Sequence, residues 1–356
     1  MTPGDGGILI FNSLTQQVTQ AGDGLAGAWP ILRAAGSWDD MTDAARQAGI
    51  ATDDLRDLVD MGILQPVRHH RRPARIACAD RIRIGRTVIL IGFDDAGLRA
   101  AARPVIGHLQ VSDATPIETY VTVARTGRGI QIAPEGDRAV RFADDGFAPG
   151  LKIALTEIAF RHVEEIVLHA ASVSHGDRAI LLFGDPGAGK STLSYASSRL
   201  ADLVCEGDDL AELLPDGHVM PMAFAAAIKT GACRLRAPLA PELETAPEHV
   251  RPDGKIVRYL PLPRNRETPL TVAAAVSLDR RSDGPAGLTA IGKAEMMRIA
   301  LNGAWTESRT VSPSGFDALA ACVAGAGCYR LTYSDLRGAS DLLHGLLHDS
   351  DPLIIA

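Results

Sequence analysis

The stretch that most restricts how this chain can fold is AILLFGDPGAGKSTLSYA, residues 179–196. An apolar run leads into a glycine-rich loop (residues 184–189), and the loop leads into a segment of helical composition. Gly184, four further residues and then Gly189, Lys190 and Ser191 match the pattern G-x-x-x-x-G-K-[ST] without a mismatch. This order predicts a buried strand, a tight turn and a helix at one edge of an α/β sheet.

The residue types in the loop are those that phosphate binding needs. Glycines let successive backbone N–H groups point inward, and the following helix directs its positive dipole end to the same place. Lys190 adds a point charge for terminal phosphate oxygens, and the Ser191 hydroxyl is a ligand for Mg²⁺. A chance match is the alternative. We predict that ATP and Mg²⁺ bind through Gly184, Asp185, Pro186, Gly187, Ala188, Gly189, Lys190, Ser191 and Thr192.

Length and composition limit the class of protein. The chain has 356 residues, enough for two domains, and 46% of them are hydrophobic. Its formal net charge of −7 argues against a protein that binds nucleic acid through its overall charge. Binding through a local basic patch is the alternative. No apolar run approaches the roughly 18 residues of a membrane span, so no membrane partner is expected. Five cysteines without a CxxC spacing predict a reduced, cytoplasmic protein.

The composition changes once, at residues 66–76, PVRHHRRPARI, which predicts an exposed basic linker over 67–77. A contact to phosphate or an acidic peptide is the alternative for this stretch.

Residues 1–66 predict a hairpin around NSLTQQ and three short helices, with Pro30 interrupting the first and Ser37 capping the second. Strands and helices are mixed over residues 78–350, including a helix over 149–168, which predicts an α/β or α+β domain.

A pair of carboxylates follows the loop at a short interval, in LADLVCEGDDLAEL, residues 200–213. Asp208 and Asp209 come just past a predicted short strand, and ligands gather at strand ends in α/β sheets. One carboxylate can hold Mg²⁺ while the other accepts the proton of an attacking hydroxyl. A turn or a helix cap is the alternative role for the pair. His169 ends the apolar run before the loop and is either a third site residue or a structural one.

The segments LHAASV, ILLFGDPGAGKST and LVCEGDDLAEL, in this order, resemble the core of the HPr serine kinase/phosphorylase family. The resemblance implies an α/β (α+β) P-loop kinase domain of the HPr kinase type. Asp208 and Asp209 match the family's paired aspartates, Glu212 a later glutamate, and His169 a histidine near the transferred phosphate. It also implies that Asp209 is the general base, that Asp208 lies nearer the metal, and that the chain forms a homo-oligomer.

The chain departs from that family downstream, where the glycine- and isoleucine-rich signature around the protein substrate is not recognisable. AAAIKTGACRL stands there, and its Lys229 resembles a lysine of the HPr-kinase-related branch found in peptide-modification clusters. This difference argues against the carrier protein HPr as substrate. Lys229, and Lys255 or Arg258 of DGKIVRYLPLPR, are candidate contacts to the nucleotide phosphates, against the alternative of ordinary surface cations.

The first 66 residues resemble the PqqD-like peptide-recognition module, through ILIFNSLTQQVTQA and DDLRDLVDMGIL. Such modules add a peptide strand to a small winged-helix sheet. A winged-helix module for dimerisation or DNA binding is the alternative. Only Arg33, Arg46 and Arg56 are cationic before the linker, which argues against DNA.

Together these features predict an ATP- and Mg²⁺-dependent serine kinase that acts on a ribosomally synthesised precursor peptide, as in lasso-peptide tailoring. The alternatives are a kinase for an HPr-like protein or a small-molecule hydroxyl, and a nucleotide-dependent peptide-binding protein without transfer chemistry. His344 and His348 lie one turn apart in the last predicted helix, but no glutamate completes a metal motif there.

Overall fold

A computed structural model of the chain describes residues 2–4, 7–12, 17–34, 38–60, 76–127, 129–135, 137–229, 239–263, 265–305 and 311–348. The structure is mixed α/β with several sheets, as the sequence predicts. Most of the predicted linker, and Ser37 as a helix cap, lie outside these residues. Across the described ranges, no helix combines the length and hydrophobicity needed to span a bilayer.

The N-terminal segment forms a three-stranded antiparallel sheet and three helices: β1 (Thr2–Gly4), β2 (Gly7–Asn12), β3 (Gln17–Ala21), α1 (Asp23–Ala34), α2 (Trp38–Gln47) and α3 (Thr52–Asp60). The predicted hairpin is confirmed, with β1 as an additional strand. The predicted interruption at Pro30 is wrong, because α1 continues through this exposed proline. The helices share a core of their own, made by Ala28, Leu32, Met41, Ala45, Leu55 and Leu58.

A five-stranded sheet follows, in the order β4-β5-β6-β7-β8. Its elements are β4 (Cys78–Ile84), β5 (Thr87–Phe93), α4 (Ala96–Ile106), β6 (Thr119–Thr126), β7 (Gly129–Pro134), β8 (Val140–Phe142) and α5 (Phe147–Phe160). β5 and β6 run parallel, and α4 makes the crossover between them. Asp95 starts α4 by accepting a hydrogen bond from the backbone N–H of Leu98.

The helix predicted over 149–168 is correct only in its first part. α5 ends at Phe160, and its last predicted turn is a strand instead, β9 (Ile166–Leu168). All three residues of β9 are buried, and the strand is hydrogen-bonded on both sides, to β13 (Ala211–Leu213) and β20 (Ala304–Trp305). Tertiary pairing of a β-branched run therefore overrides the helical spacing of the sequence.

The central sheet has the order β12-β10-β11-β18-β21-β19. Its strands are β10 (Ala171–His175), β11 (Arg178–Phe183), β12 (Val204–Gly207), β18 (Thr271–Arg280), β19 (Gly287–Ala290) and β21 (Gly327–Tyr333). β11, β18 and β21 are parallel, whereas β10 is antiparallel to both β11 and β12. Four helices pack against this sheet in the described residues: α6 (Lys190–Leu200), α8 (Lys293–Asn302), α9 (Pro313–Gly325) and α10 (Leu336–His348).

Alternate residues of β11 bury on opposite faces of the central sheet, as the period of two in a strand requires. Ile180 and Leu182 belong to the core that includes residues of α6 and α10. Leu181 and Phe183 belong to a second core, which includes residues of α8 and α9. The sheet is therefore covered by helices on both faces.

Two small sheets complete the fold. One has the order β14-β13-β9-β20, with β14 at Val219–Pro221. The other is antiparallel, with the order β15-β17-β16, and consists of β15 (Ala226–Lys229), β16 (Glu248–Val250) and β17 (Ile256–Leu260), with α7 (Ala240–Thr245) before β16.

Candidate functional site

The strand directions of the central sheet bring three chemically distinct segments to one edge. The glycine-rich loop follows the carboxyl end of β11. β12 runs in the same direction as β11, because each is antiparallel to β10, so Asp208 and Asp209 emerge at the same edge. β10 starts there, directly after His169 and Ala170. The sheet thus assembles residues that are up to 40 positions apart in the sequence.

The glycine-rich loop has a backbone that its glycines allow. Gly187 and Gly189 have φ values of 101° and 97°, a region that favours glycine. A side chain at Gly189 would collide with the Tyr333 hydroxyl, which donates a hydrogen bond of 2.7 Å to the Ala188 carbonyl. The tip of the loop, Asp185–Gly187, is exposed. α6 begins at Lys190, so its free N–H groups face the loop.

Lys190 is 7% exposed, and its Nζ donates a hydrogen bond of 2.6 Å to the Gly184 carbonyl. The ammonium group therefore folds back across the loop. Burial lowers the pKa of Lys190, and attraction to Asp209 and Asp208 opposes that effect. Ser191 is half-buried and Thr192 is buried, in the first turn of the same helix.

Asp208 is buried, and only one of its two carboxylate oxygens has a hydrogen-bond partner within the described residues. Its Oδ2 accepts a hydrogen bond of 2.8 Å from the backbone N–H of Ala227, whereas Oδ1 has no hydrogen-bond partner within the described residues. Burial raises the pKa of this carboxyl group, and the charge of Lys152 and the Ser191 hydroxyl oppose the shift. An orphaned carboxylate oxygen beside a serine hydroxyl fits Mg²⁺, which takes one or two carboxylates and completes its shell with phosphates and water.

Asp209 is more accessible and is paired with His169. The His169 Nε2–H donates a hydrogen bond of 2.8 Å to Asp209 Oδ1, and the two side chains are 29% and 42% exposed. Burial alone would raise the pKa of Asp209, but the His169 hydrogen bond and the charges of Lys152, His169 and Lys190 lower it well below its usual range. Asp209 is therefore an ionised, half-exposed hydrogen-bond acceptor.

Lys152 is the site residue that sequence reasoning missed. It projects from α5, is 12% exposed, and places its Nζ 4.0 Å from Asp208 Oδ2 and 3.9 Å from Asp209 Oδ2. Its ammonium group also lies 5.5 Å from the centre of the Phe224 ring. One cation thus lies beside both carboxylates. The sequence signal is a lysine in a helix whose other residues, Glu157 excepted, are uncharged.

Replacing Lys152 by methionine is expected to lower the free energy of unfolding by about 3 kcal/mol, because it leaves two adjacent carboxylates without their shared cation. The measurement is urea denaturation of the full chain. Lys152→Arg keeps the charge and is the matched control. Adding Asp208→Asn to Lys152→Met should recover part of the loss, because the two sites are coupled. Strictly additive effects would contradict the shared-cation arrangement.

Of the remaining candidate residues, Lys229 lies near Asp208 and Arg258 lies away from it. Lys229 ends β15, whose Ala227 N–H contacts Asp208, and the charge of Lys229 adds to burial in lowering the pKa of Lys190. Arg258 is not brought to the loop. Cross-strand pairing of Lys229 with Val257 puts Arg258 on the opposite face of the sheet. There its guanidinium donates to the carbonyls of Leu243 and Ala246 and to Glu248.

Comparisons with known proteins add no family assignment. No protein-family model matches the chain, and no curated protein matches it.

Glu212, which the resemblance matches to a family glutamate, is 2% exposed on β13. Its Oε1 accepts hydrogen bonds from Arg86 at 2.5 and 3.1 Å. This ion pair joins the five-stranded sheet region to the sheet that holds β9. In the described part of the chain, no group of three or more His, Cys, Asp or Glu is arranged to hold a metal ion, including the region of His344 and His348.

A cleft of about 520 Å³ opens beside the glycine-rich loop, on the side of β18 and not on the side of β10 and β12. It is lined by loop residues and by the turn that follows β18, namely Asp185, Gly187, Ala188, Leu278, Asp279, Arg280, Arg281 and Ser282. β11 and β18 are parallel neighbours, so the segments after them meet at the same edge. No sequence pattern connected this turn with the loop.

Proposed function

We propose that the chain is a P-loop phosphotransferase of the HPr kinase type, which moves the γ-phosphate of ATP to a hydroxyl group. The observation that carries this proposal is the hydrogen-bonded pair of Asp209 and His169 beside the glycine-rich loop and Lys190. A protein that only bound nucleotide would have no need of an ionised acceptor at this position. The acceptor we propose is a serine on a ribosomally synthesised precursor peptide.

In the proposed reaction, the loop amides, the α6 N-terminus and Lys190 bind the phosphates. Lys190 exchanges the Gly184 carbonyl for phosphate oxygens. Asp209 accepts the proton of the acceptor hydroxyl as its oxygen forms a bond to the γ-phosphorus, and the bond to the bridging oxygen breaks to release ADP. His169 holds Asp209 by donating through Nε2, so the carboxylate keeps one oxygen directed to the acceptor.

Ser191 and Asp208 are the residues that we propose to hold Mg²⁺, which when bound neutralises charge on the phosphate oxygens. The orphaned Oδ1 of Asp208 supports this assignment. The cleft lined by Leu278–Ser282 is the proposed place for the nucleoside part of ATP, because it adjoins the loop on the side away from Asp209.

The experiment is incubation of the full chain with γ-labelled ATP, Mg²⁺ and candidate serine-containing peptides, followed by mass spectrometry of the product. A phosphate ester on a hydroxyl is the expected result. A small-molecule product would support the second kinase hypothesis, and nucleotide binding without any transfer would contradict the kinase and favour a peptide-binding protein.

The N-terminal segment is the proposed peptide-capture module, of PqqD-like type. Its small antiparallel sheet and three helices have a separate core, which supports an independent role. Deleting residues 1–66 is expected to raise KM for a peptide acceptor about tenfold or more without changing kcat, because tethering raises the local peptide concentration. KM for a small hydroxyl acceptor is the control. An unchanged KM for the peptide would exclude capture.

A further inference from the structure

We propose that Lys229, Arg251 and Lys255 form a cationic surface that binds acidic residues next to the acceptor hydroxyl, so that the substrate is an acidic peptide. This inference rests on the proposed kinase function and names the chemistry of its acceptor. Lys229 and Lys255 are candidate phosphate contacts in the sequence, whereas Arg251 is added by the structure.

Strand register places these three side chains in a row leading away from Asp208. β15 is the outer strand of its sheet, and its free edge meets Asp208 through the Ala227 N–H at 2.8 Å. Lys229 lies two residues further, roughly 7 Å along that edge. It pairs with Val257 of β17, and Lys255 is two residues from Val257, on the same face. The sequence of side chains is therefore Ala227, Lys229, Lys255.

Arg251 completes the row at the turn that joins β16 and β17. Its N–H donates to the Lys255 carbonyl at 2.9 Å, and the Gly254 N–H donates to the Arg251 carbonyl at 2.9 Å, so residues 251 and 255 face each other across a tight turn. The contact of the His249 and Tyr259 rings, with centroids 5.4 Å apart, marks the same face of the sheet. The charges of Arg251 and Lys255, together with burial, lower the pKa of Lys229, so the cation at the end of β15 and those at the turn lie near one another.

The charges on this surface do not cancel. Asp253 binds both turn cations, with oxygens 3.3 Å from Arg251 Nε and 3.1 Å from Lys255 Nζ. One carboxylate thus serves two cations, and the Lys255 side chain is still 59% exposed. Among the described residues, Lys229 has no hydrogen bond or salt bridge with a protein group. The surface therefore carries an excess of positive charge that a ligand can use.

An acceptor fits this position better than the nucleotide does. The acceptor must approach the exposed side of Asp209. Lys229 lies close enough to Asp209 for the charge of that carboxylate to raise the pKa of Lys229. The cleft suited to the nucleoside lies on the other side of the loop, beside Arg280 and Arg281. Arg258, by contrast, lies on the opposite face of the sheet. Its guanidinium is already hydrogen-bonded to the Leu243 carbonyl and to Glu248.

The test measures peptide binding directly, by fluorescence anisotropy of the full chain loaded with Mg²⁺ and a non-hydrolysable ATP analogue. The probes are three short labelled peptides with one serine, flanked by aspartate and glutamate, by asparagine and glutamine, or by lysine. We expect the acidic peptide to bind about tenfold tighter than the neutral one, as two or three half-exposed ion pairs allow. High salt should remove the difference.

Arg251→Glu with Lys255→Glu is expected to reverse the preference toward the lysine peptide, and Lys255→Gln should reduce it without disturbing the turn. Arg141→Glu, an exposed cation on β8, is the control and should leave the preference unchanged. Equal binding of acidic and neutral peptides would overturn the inference. So would a loss of ATP-analogue affinity in the double variant with unchanged peptide preference, because the cations would then serve the nucleotide.

The transfer assay separates this inference from the kinase proposal. Phosphorylation without any preference for acidic peptides would overturn the inference and leave the kinase intact. Tight, charge-dependent binding of the acidic peptide without phosphorylation would support the cationic surface and contradict the kinase.

Discussion

Asp209→Asn is expected to lower kcat for phosphoryl transfer by about two to four orders of magnitude, the usual contribution of a general base. The amide oxygen can still accept the His169 hydrogen bond, but it cannot take up the acceptor proton. Nucleotide affinity should stay within a factor of about two, since Asp209 contacts the acceptor rather than the phosphates. The measurement pairs steady-state transfer kinetics with equilibrium binding of a fluorescent ATP analogue.

A second aspartate–histidine pair supplies the control for this variant. Asp216 Oδ2 lies 3.1 Å from His218 Nδ1 in an exposed turn. Asp216→Asn therefore makes the same chemical change to a similar pair outside the site, and its kcat should equal that of the wild type. If Asp209→Asn transferred phosphate at the wild-type rate, the base would have to be another group, and His169 would be the first to examine.

Lys190→Ala is expected to raise the Kd of ATP by about 10- to 100-fold, because it removes a charge-assisted hydrogen bond worth about 1.5–3 kcal/mol. Transfer should fall further, by about two to three orders of magnitude, because the lysine also stabilises charge on the phosphate in the transition state. Isothermal titration with ATP and Mg²⁺ measures the first effect, and the labelled-ATP assay measures the second.

Lys293→Ala is the matched control for Lys190→Ala. The Lys293 ammonium group also donates to backbone carbonyls, those of Val323 and Ala326, but at the start of α8. Losing these bonds should affect stability and leave the Kd of ATP unchanged. An unchanged Kd in Lys190→Ala as well would show that the glycine-rich loop does not bind the triphosphate.

Local patterns predicted the loop and its flanking elements, because strand, turn and helix are contiguous in residues 178–200. The short strand before Asp208 and the last helix were predicted for the same reason. The contact of His169 with Asp209 was not a local property. It depends on β10 lying between β11 and β12, which cannot be read from the spacing of the sequence. The position of His169 before the loop left a structural role open, and the resemblance favoured a role in the site.

Two errors have a common physical origin in long-range pairing. Ile166–Leu168 has apolar spacing that fits a helix, yet β13 and β20 hold it as a strand. Arg258 has the charge expected of a phosphate contact, yet the register of β17 turns it to the other face. Lys152 was overlooked because its helix is apolar, and a helix pattern does not reveal which distant carboxylates a buried cation meets.

The contact of the Tyr333 hydroxyl with the Ala188 carbonyl ties the glycine-rich loop to the last strand of the central sheet. Because the loop is already held in place, a ligand that binds there loses little entropy in ordering the backbone. Association should therefore be fast and largely enthalpic. Tyr333→Phe would loosen this anchor without adding bulk. The main change should then be a larger entropy penalty on nucleotide binding, with the chemical step itself preserved.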